Sequence, residues 1–184
     1  MIIGVRGSKL IAATIVGATA IALPTSAIAA SGHRPQGHHR VAACRASGTQ
    51  IWLGLGNGGG AAGTIFYPLE FSNIGRRTCS LFGFPRVSAV INGRQVGGAA
   101  IRVGGKHLAV LRPGQTAHAI LGIVQADNIA GCHIRKGASL KIFAPNKLAF
   151  TIFPSFTFTT CSNRSVLRIQ SVRFGVGIPG ITAL

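Results

Sequence analysis

The sequence predicts an all-β domain, an antiparallel immunoglobulin-like β-sandwich stapled by two disulfides and preceded by a secretory signal peptide. Three observations carry that prediction. Apolar residues alternate in runs of strand length, and turn-forming pairs separate the runs. No stretch beyond residue 43 sustains an apolar period of 3.6. Four cysteines form an even set in a chain whose N-terminus reads as an export signal. A small closed barrel is the alternative architecture.

Residues 1–29 supply the signal. Arg6 and Lys9 precede an apolar run from Leu10 to Leu23, and small residues follow. The run is shorter than the ~18 residues of a membrane span. Ala27 and Ala29 place the cut after Ala29. No cysteine near the cut offers a lipid anchor, and no arginine pair points to the twin-arginine route. Residues 30–43, "ASGHRPQGHHRVAA", read as a flexible histidine-rich leader. Residues 44–184 read as one β-sandwich domain. Removing 29 of 184 residues leaves 155, enough for a single core.

"QIWLGL" is the first strand, and its Trp52 reads as core packing. "GLGNGGGAAG" contains G-x-G-x-x-G at Gly54, Gly56 and Gly59. A strand follows it rather than the helix a dinucleotide site needs, so it reads as a turn. "TIFYPLEFSN" alternates, with Ile65, Tyr67, Leu69 and Phe71 on one face and Phe66, Pro68, Glu70 and Ser72 on the other. Pro68 cannot donate to a ladder, which predicts an edge strand or a bulge. "VSAVINGRQV" is a hairpin turning at Asn92-Gly93, a pair that tolerates the two positive φ angles of a type I′ turn. Pro113-Gly114 suits a type II turn. "TAHAILGIV" alternates through Ala117, Ala119, Leu121 and Ile123. "LKIFAPN", "AFTIFPSFTF" and "SVLRIQSVRF" supply later strands. In all, about eight short strands are expected.

Charge narrows the partners. Lysine and arginine number 19 against Glu70 and Asp127 alone. The formal charge of +17, less the two signal cations, leaves +15 on the mature chain. Such a field attracts polyanions. The candidate contacts are Arg76, Arg77, Arg86, Arg94, Arg102, Lys106, Arg112, Arg135 and Lys136, with Lys141 and Lys147 beside them.

Catalytic constellations are scarce. No G-x-S-x-G nucleophile elbow and no C-x-x-C occurs. "GGKH" lacks the spacing of a phosphate-binding loop. A glycosidase would have to use Glu70 with Asp127. Glu70 reads as facing solvent, in a salt bridge to a nearby arginine. His107, His118 and His133 read as surface or turn residues. Cleavage after Ala30 instead would place His33 third, where a free amine, two backbone nitrogens and an imidazole suit copper(II) or nickel(II). The cut after Ala29 removes that site. The aromatic residues sit at alternating strand positions and read as core, so no specific nucleic-acid binding is expected. No cofactor is expected.

The order "AAGTIFYPLEFSNIGRRTCSLFGFPRVSAV", "LRPGQTAHAIL", Cys132, "LKIFAP" and Cys161 resembles the secreted actinobacterial domain-of-unknown-function family numbered 4232. The resemblance runs over roughly residues 44–172. It rests on Cys44, Ala62-Gly63, Asn73-Ile74-Gly75, the corner Thr78 to Pro85, Pro113 to Ala117, Cys132 and Cys161. It implies an exported or envelope-associated protein with an immunoglobulin-like sandwich, and it supplies no catalytic residue. Cysteine count alone leaves three pairings open. Within this resemblance, Cys44–Cys79 and Cys132–Cys161 are the expected pairs, each closing a moderate loop. The resulting expectation is a secreted or cell-wall-associated, non-catalytic binding or structural module that contacts anionic envelope polymers. A hydrolase using Glu70 or Asp127, and a protein-interaction module working through a sheet edge near Pro68, are the alternatives.

Overall fold

The structure, a computed structural model, describes residues 41–55, 59–147 and 149–177. The expected signal at 1–29, the expected leader as far as residue 40 with His33, His38 and His39, and Gly56 lie outside the described residues.

Thirteen strand segments are found among the described residues. They are β1 (Thr49–Leu53), β2 (Gly60–Ala61), β3 (Thr64–Asn73), β4 (Cys79–Phe82), β5 (Arg86–Ile91), β6 (Arg94–Val96) and β7 (Ile101–Val103). There follow β8 (Leu108–Leu111), β9 (Thr116–Val124), β10 (Ile134–Phe143), β11 (Phe150–Cys161), β12 (Leu167–Gln170) and β13 (Arg173–Phe174). The excess over the expected eight comes from segments of two to four residues flanking the long strands.

The larger sheet runs β1-β3-β9-β12-β7, with β2 lengthening the flank of β3 and β13 that of β9. The second sheet runs β11-β10-β5-β6, and β4 pairs β8 in a ribbon. All pairs are antiparallel except β12 with β7, where the chain crosses over. The core lies between the inward rows. Leu69, Phe71, Ala117, Ala119, Leu121, Leu167 and Ile169 come from the larger sheet. Val87, Ala89, Ala138, Leu140 and Ile142 come from the second, and Leu81, Ala109 and Leu111 from the ribbon. Alternation maps onto burial for Leu69, Phe71, Ala117, Ala119 and Leu121, whereas Ile65 of the same row is exposed and Phe66, Pro68 and Ile120 of the opposite row are buried.

Both turn assignments hold. Asn92 and Gly93 have φ of 49° and 75° between β5 and β6. Gly114 has φ 80°, and the Gln115 amide donates to the Arg112 carbonyl at 3.0 Å. Ala62-Gly63, which the sequence offered only as a strand start, is itself a hairpin turn with φ of 46° and 75° between β2 and β3.

Pro68 is neither at an edge nor in a bulge. The register from Thr64↔Val124 to Ser72↔Thr116 is unbroken, and β3 lies inside the sheet. The Pro68 carbonyl accepts from the Gly54 amide at 2.9 Å, on the side away from β9. N–H and C=O of one residue point the same way in an antiparallel strand, so the missing donor faces the break between β1 and β2. Only the reciprocal bond to Gly54 is forgone, just past the end of β1. The edge proposed near Pro68 is therefore absent; β1 and β7 end the larger sheet, and β11 and β6 the second.

Cys44–Cys79 and Cys132–Cys161 are bonded, with S–S lengths of 2.05 and 2.01 Å. They pin opposite ends of the sandwich. Strand β10 starts at Ile134, paired with Cys161, and ends at Phe143, roughly 30 Å away at the β rise. Just beyond that end, Asn146 donates to the Cys44 carbonyl. Two formed disulfides fit an oxidising, non-cytoplasmic compartment. No helix among the described residues is long and apolar enough to cross a membrane.

Candidate functional site

The corner motif organises the Cys44 end. Asn73, 1% exposed, ends β3. Its Oδ1 accepts from the Gly75 amide at 3.0 Å, an Asx turn that reverses the chain. Its Nδ2 donates to the carbonyls of Arg77 and Leu111, each at 2.9 Å. One amide thus ties β3, the turn and the β8 end. Arg76 and Arg77 ride on this turn, and with Arg45 they line an open cleft of about 490 Å³. Arg112 occupies the adjoining turn, whose Gly114 amide donates to the Asn73 carbonyl at 2.8 Å.

Other candidate contacts lie elsewhere. Arg94 opens β6, while Arg135 and Lys136 begin β10 near the Cys132–Cys161 end. Arg102 lies on β7 with its guanidinium carbon 5.7 Å from the Phe84 ring centroid, and Lys106 is in the exposed loop before β8. The basic residues are spread over several faces rather than gathered on one.

A basic and aromatic patch covers the outer face of the second sheet. Arg86, Phe143 and Phe150 are cross-strand neighbours, as are Ser88, Lys141 and Ile152 in the next row. The rings of Phe143 and Phe150 lie 5.3 Å apart. The Lys141 ammonium is 5.3 Å from the Phe143 centroid and 5.8 Å from that of Phe150, and Arg86 is 5.9 Å from Phe143. These are cation–π distances. Phe150 is 60% exposed and Ile152 40%. The expectation that aromatic residues on strands are core fails here. The outward positions Phe143, Phe150 and Ile152 are apolar too, and alternation cannot say which face is covered.

Trp52 corrects the same expectation. It is 49% exposed on the outer face of the larger sheet. There Trp52, Glu70, His118 and Arg173 stand directly opposite one another on four adjacent segments. Direct neighbours on one face are ~5 Å apart at Cβ. Glu70 is half-buried, and its Oε1 accepts from the Gly177 amide at 2.6 Å instead of an arginine. Glu70 therefore neither faces open solvent nor forms the expected salt bridge. His118 Nδ1 lies 3.0 Å from the Gly175 carbonyl oxygen. The described part of the C-terminal segment thus packs across this row.

Asp127 lies in a short 3-10 turn (Ala126–Asn128) at the other end of β3. It lines a cleft of about 380 Å³ with Tyr67 and Phe156, whose rings meet edge-on at 5.0 Å. Burial raises the Tyr67 phenol above its ordinary value of 10.0. Glu70 stands opposite His118 on the outer face of the larger sheet, whereas Asp127 lines this separate cleft, so the two carboxylates do not line one cleft. His107 and His133 lie in different loops, and no group of three His, Cys, Asp or Glu gathers among the described residues.

No curated protein matches this chain. Among solved structures, a β-glucosidase from Kluyveromyces marxianus is similar at 13% identity and a TM-score of 0.33. The match covers 66% of this chain and 15% of that one, too slight a likeness to bear on fold or function. The family model described as a domain of unknown function, DUF4232, matches residues 44–172, which takes in both disulfides, the Asn73 turn and every strand but β13. The chain belongs to that family.

Proposed function

We propose that this protein is a secreted, non-catalytic binding or structural module of the cell envelope or extracellular space, and that it contacts anionic polymers through its basic surface. One observation carries this reading: the positive charge is left unneutralised. Its two carboxylates are occupied otherwise or stand apart, and among the described residues no carboxylate is within ion-pair distance of a cation. A spread of cations over both ends and the second sheet suits a long, flexible polyanion touching several of them at once. It suits a small anion poorly, since that needs convergent donors.

The test is retention of the purified, oxidised protein on its own cell-wall fraction and on polyphosphate over a salt series. Binding to polyphosphate at low salt, falling steeply as salt rises, is expected. Wall binding that outlasts salt sufficient to release polyphosphate would locate a specific envelope polymer. Failure to bind either at low salt refutes the reading.

A further inference from the structure

We propose that the outer face of the β11-β10-β5-β6 sheet docks onto an anionic lipid surface, with Phe150 and Ile152 entering the interface and Lys141 and Arg86 meeting the headgroup phosphates. The inference rests on the reading above for the sign of the partner's charge, and departs from it in the partner's nature.

Two features coincide on this face. The first is exposed apolar surface on adjacent rows, at Phe150 and Ile152. The second is a pair of cationic side chains beside the rings of this face, Lys141 against Phe143 and Phe150 and Arg86 against Phe143. Glu70 lies on the other sheet, and Asp127 lies against the Phe156–Thr159 half of β11, away from the Phe150 end, so no carboxylate among the described residues stands on these two rows. A hydrated phosphate polymer would engage the cations and leave the rings in water. A lipid surface engages both, because rings and branched chains partition into the interface while basic groups stay at headgroup level. Each basic residue near such a surface contributes about 1 kcal/mol. The sheet is also a broad face rather than a cleft, so a planar partner meets both rows together.

The experiment is co-sedimentation of the oxidised protein with phosphatidylglycerol-containing and pure phosphatidylcholine vesicles, beside polyphosphate binding. The wild type is expected to bind the anionic vesicles and not the neutral ones. Phe150→Ser with Ile152→Ser should weaken vesicle binding about tenfold and leave polyphosphate binding within about twofold. Arg86→Gln with Lys141→Gln should weaken vesicle binding about fivefold per charge removed. Both apolar positions are exposed, so the variant keeps its core. A second readout is independent of affinity. Trp52, the only tryptophan, lies on the other sheet. Moving it by Trp52→Phe with Phe150→Trp should give fluorescence quenched by brominated lipid, whereas wild-type fluorescence should not be. Polyphosphate binding without vesicle binding overturns the lipid inference and leaves the polymer reading standing. So does vesicle binding that is indifferent to Phe150→Ser with Ile152→Ser, or an unquenched reporter. Absence of both kinds of binding overturns the two together.

Discussion

Replacing Asn73 by Asp changes one atom type and tests the account of the corner. In the native protein, Asn73 Nδ2 donates to the Arg77 and Leu111 carbonyls while Oδ1 accepts from Gly75. Asp keeps the shape and the Gly75 bond, so the Asx turn survives. It places a carboxylate oxygen where the amide nitrogen was, facing two carbonyl oxygens. The bond to Leu111 is buried and that to Arg77 partly so. An unsatisfied buried acceptor costs about 1–3 kcal/mol, and a buried charge more. Two orphaned carbonyls therefore predict a loss of about 3–5 kcal/mol near neutral pH. Asn73→Ala should cost about 2–4 kcal/mol, because it removes all three bonds without adding a charge. Equilibrium urea unfolding at fixed pH reads the difference. The introduced carboxyl is destabilised in its charged form, so its folded-state pKa lies above the unfolded value. Its deficit should then shrink on acidification and grow as pH rises through the folded pKa. An Asn73→Asp protein within 1 kcal/mol of the wild type, or one whose deficit ignores pH, would refute the hydrogen-bond assignment on which the Arg76 and Arg77 cleft depends.

Three further predictions test the frame. The bridges close separations of 35 and 29 residues, so replacing both cysteines of either pair by Ala should cost about 3.5–4 kcal/mol on the loop-entropy estimate, read by urea unfolding; a loss below 1 kcal/mol would mean the bridge is idle. Gly97→Ala would drive a Cβ into the Cys161 and Arg164 carbonyl oxygens at a φ of 69°, and should cost at least about 3 kcal/mol in the same assay. Tyr67 is the only tyrosine, so phenolate absorbance reports it alone, and its midpoint should lie above 10.0. Because its folded pKa is raised, its contribution is complete below the unfolded value and is lost as pH rises through the folded one. Tyr67→Phe should abolish that part of the alkaline decline.

Much of this molecule was written locally. Alternation fixed β9 at Thr116–Val124, Asn92-Gly93 fixed a hairpin, and Pro113-Gly114 fixed a turn. Each depends on backbone preferences within a few residues, and the two disulfides join the pairs expected from loop length and family pattern. What period two cannot report is which face of a strand is covered, since that depends on the partner sheet. Trp52 and Phe150 therefore came out exposed, and Phe66 and Pro68 came out buried on the face assigned to solvent. Glu70 drew its partner from Gly177, more than a hundred residues away. Pro68 is tolerated inside a sheet because its missing donor faces Gly54, just past the end of β1. The sequence by itself determined the strands, the turns and the excess charge, because those follow from near neighbours and composition. Only the tertiary structure decided that Arg86, Lys141, Phe143 and Phe150 share one face, because cross-strand register is set by contacts between residues far apart in the chain.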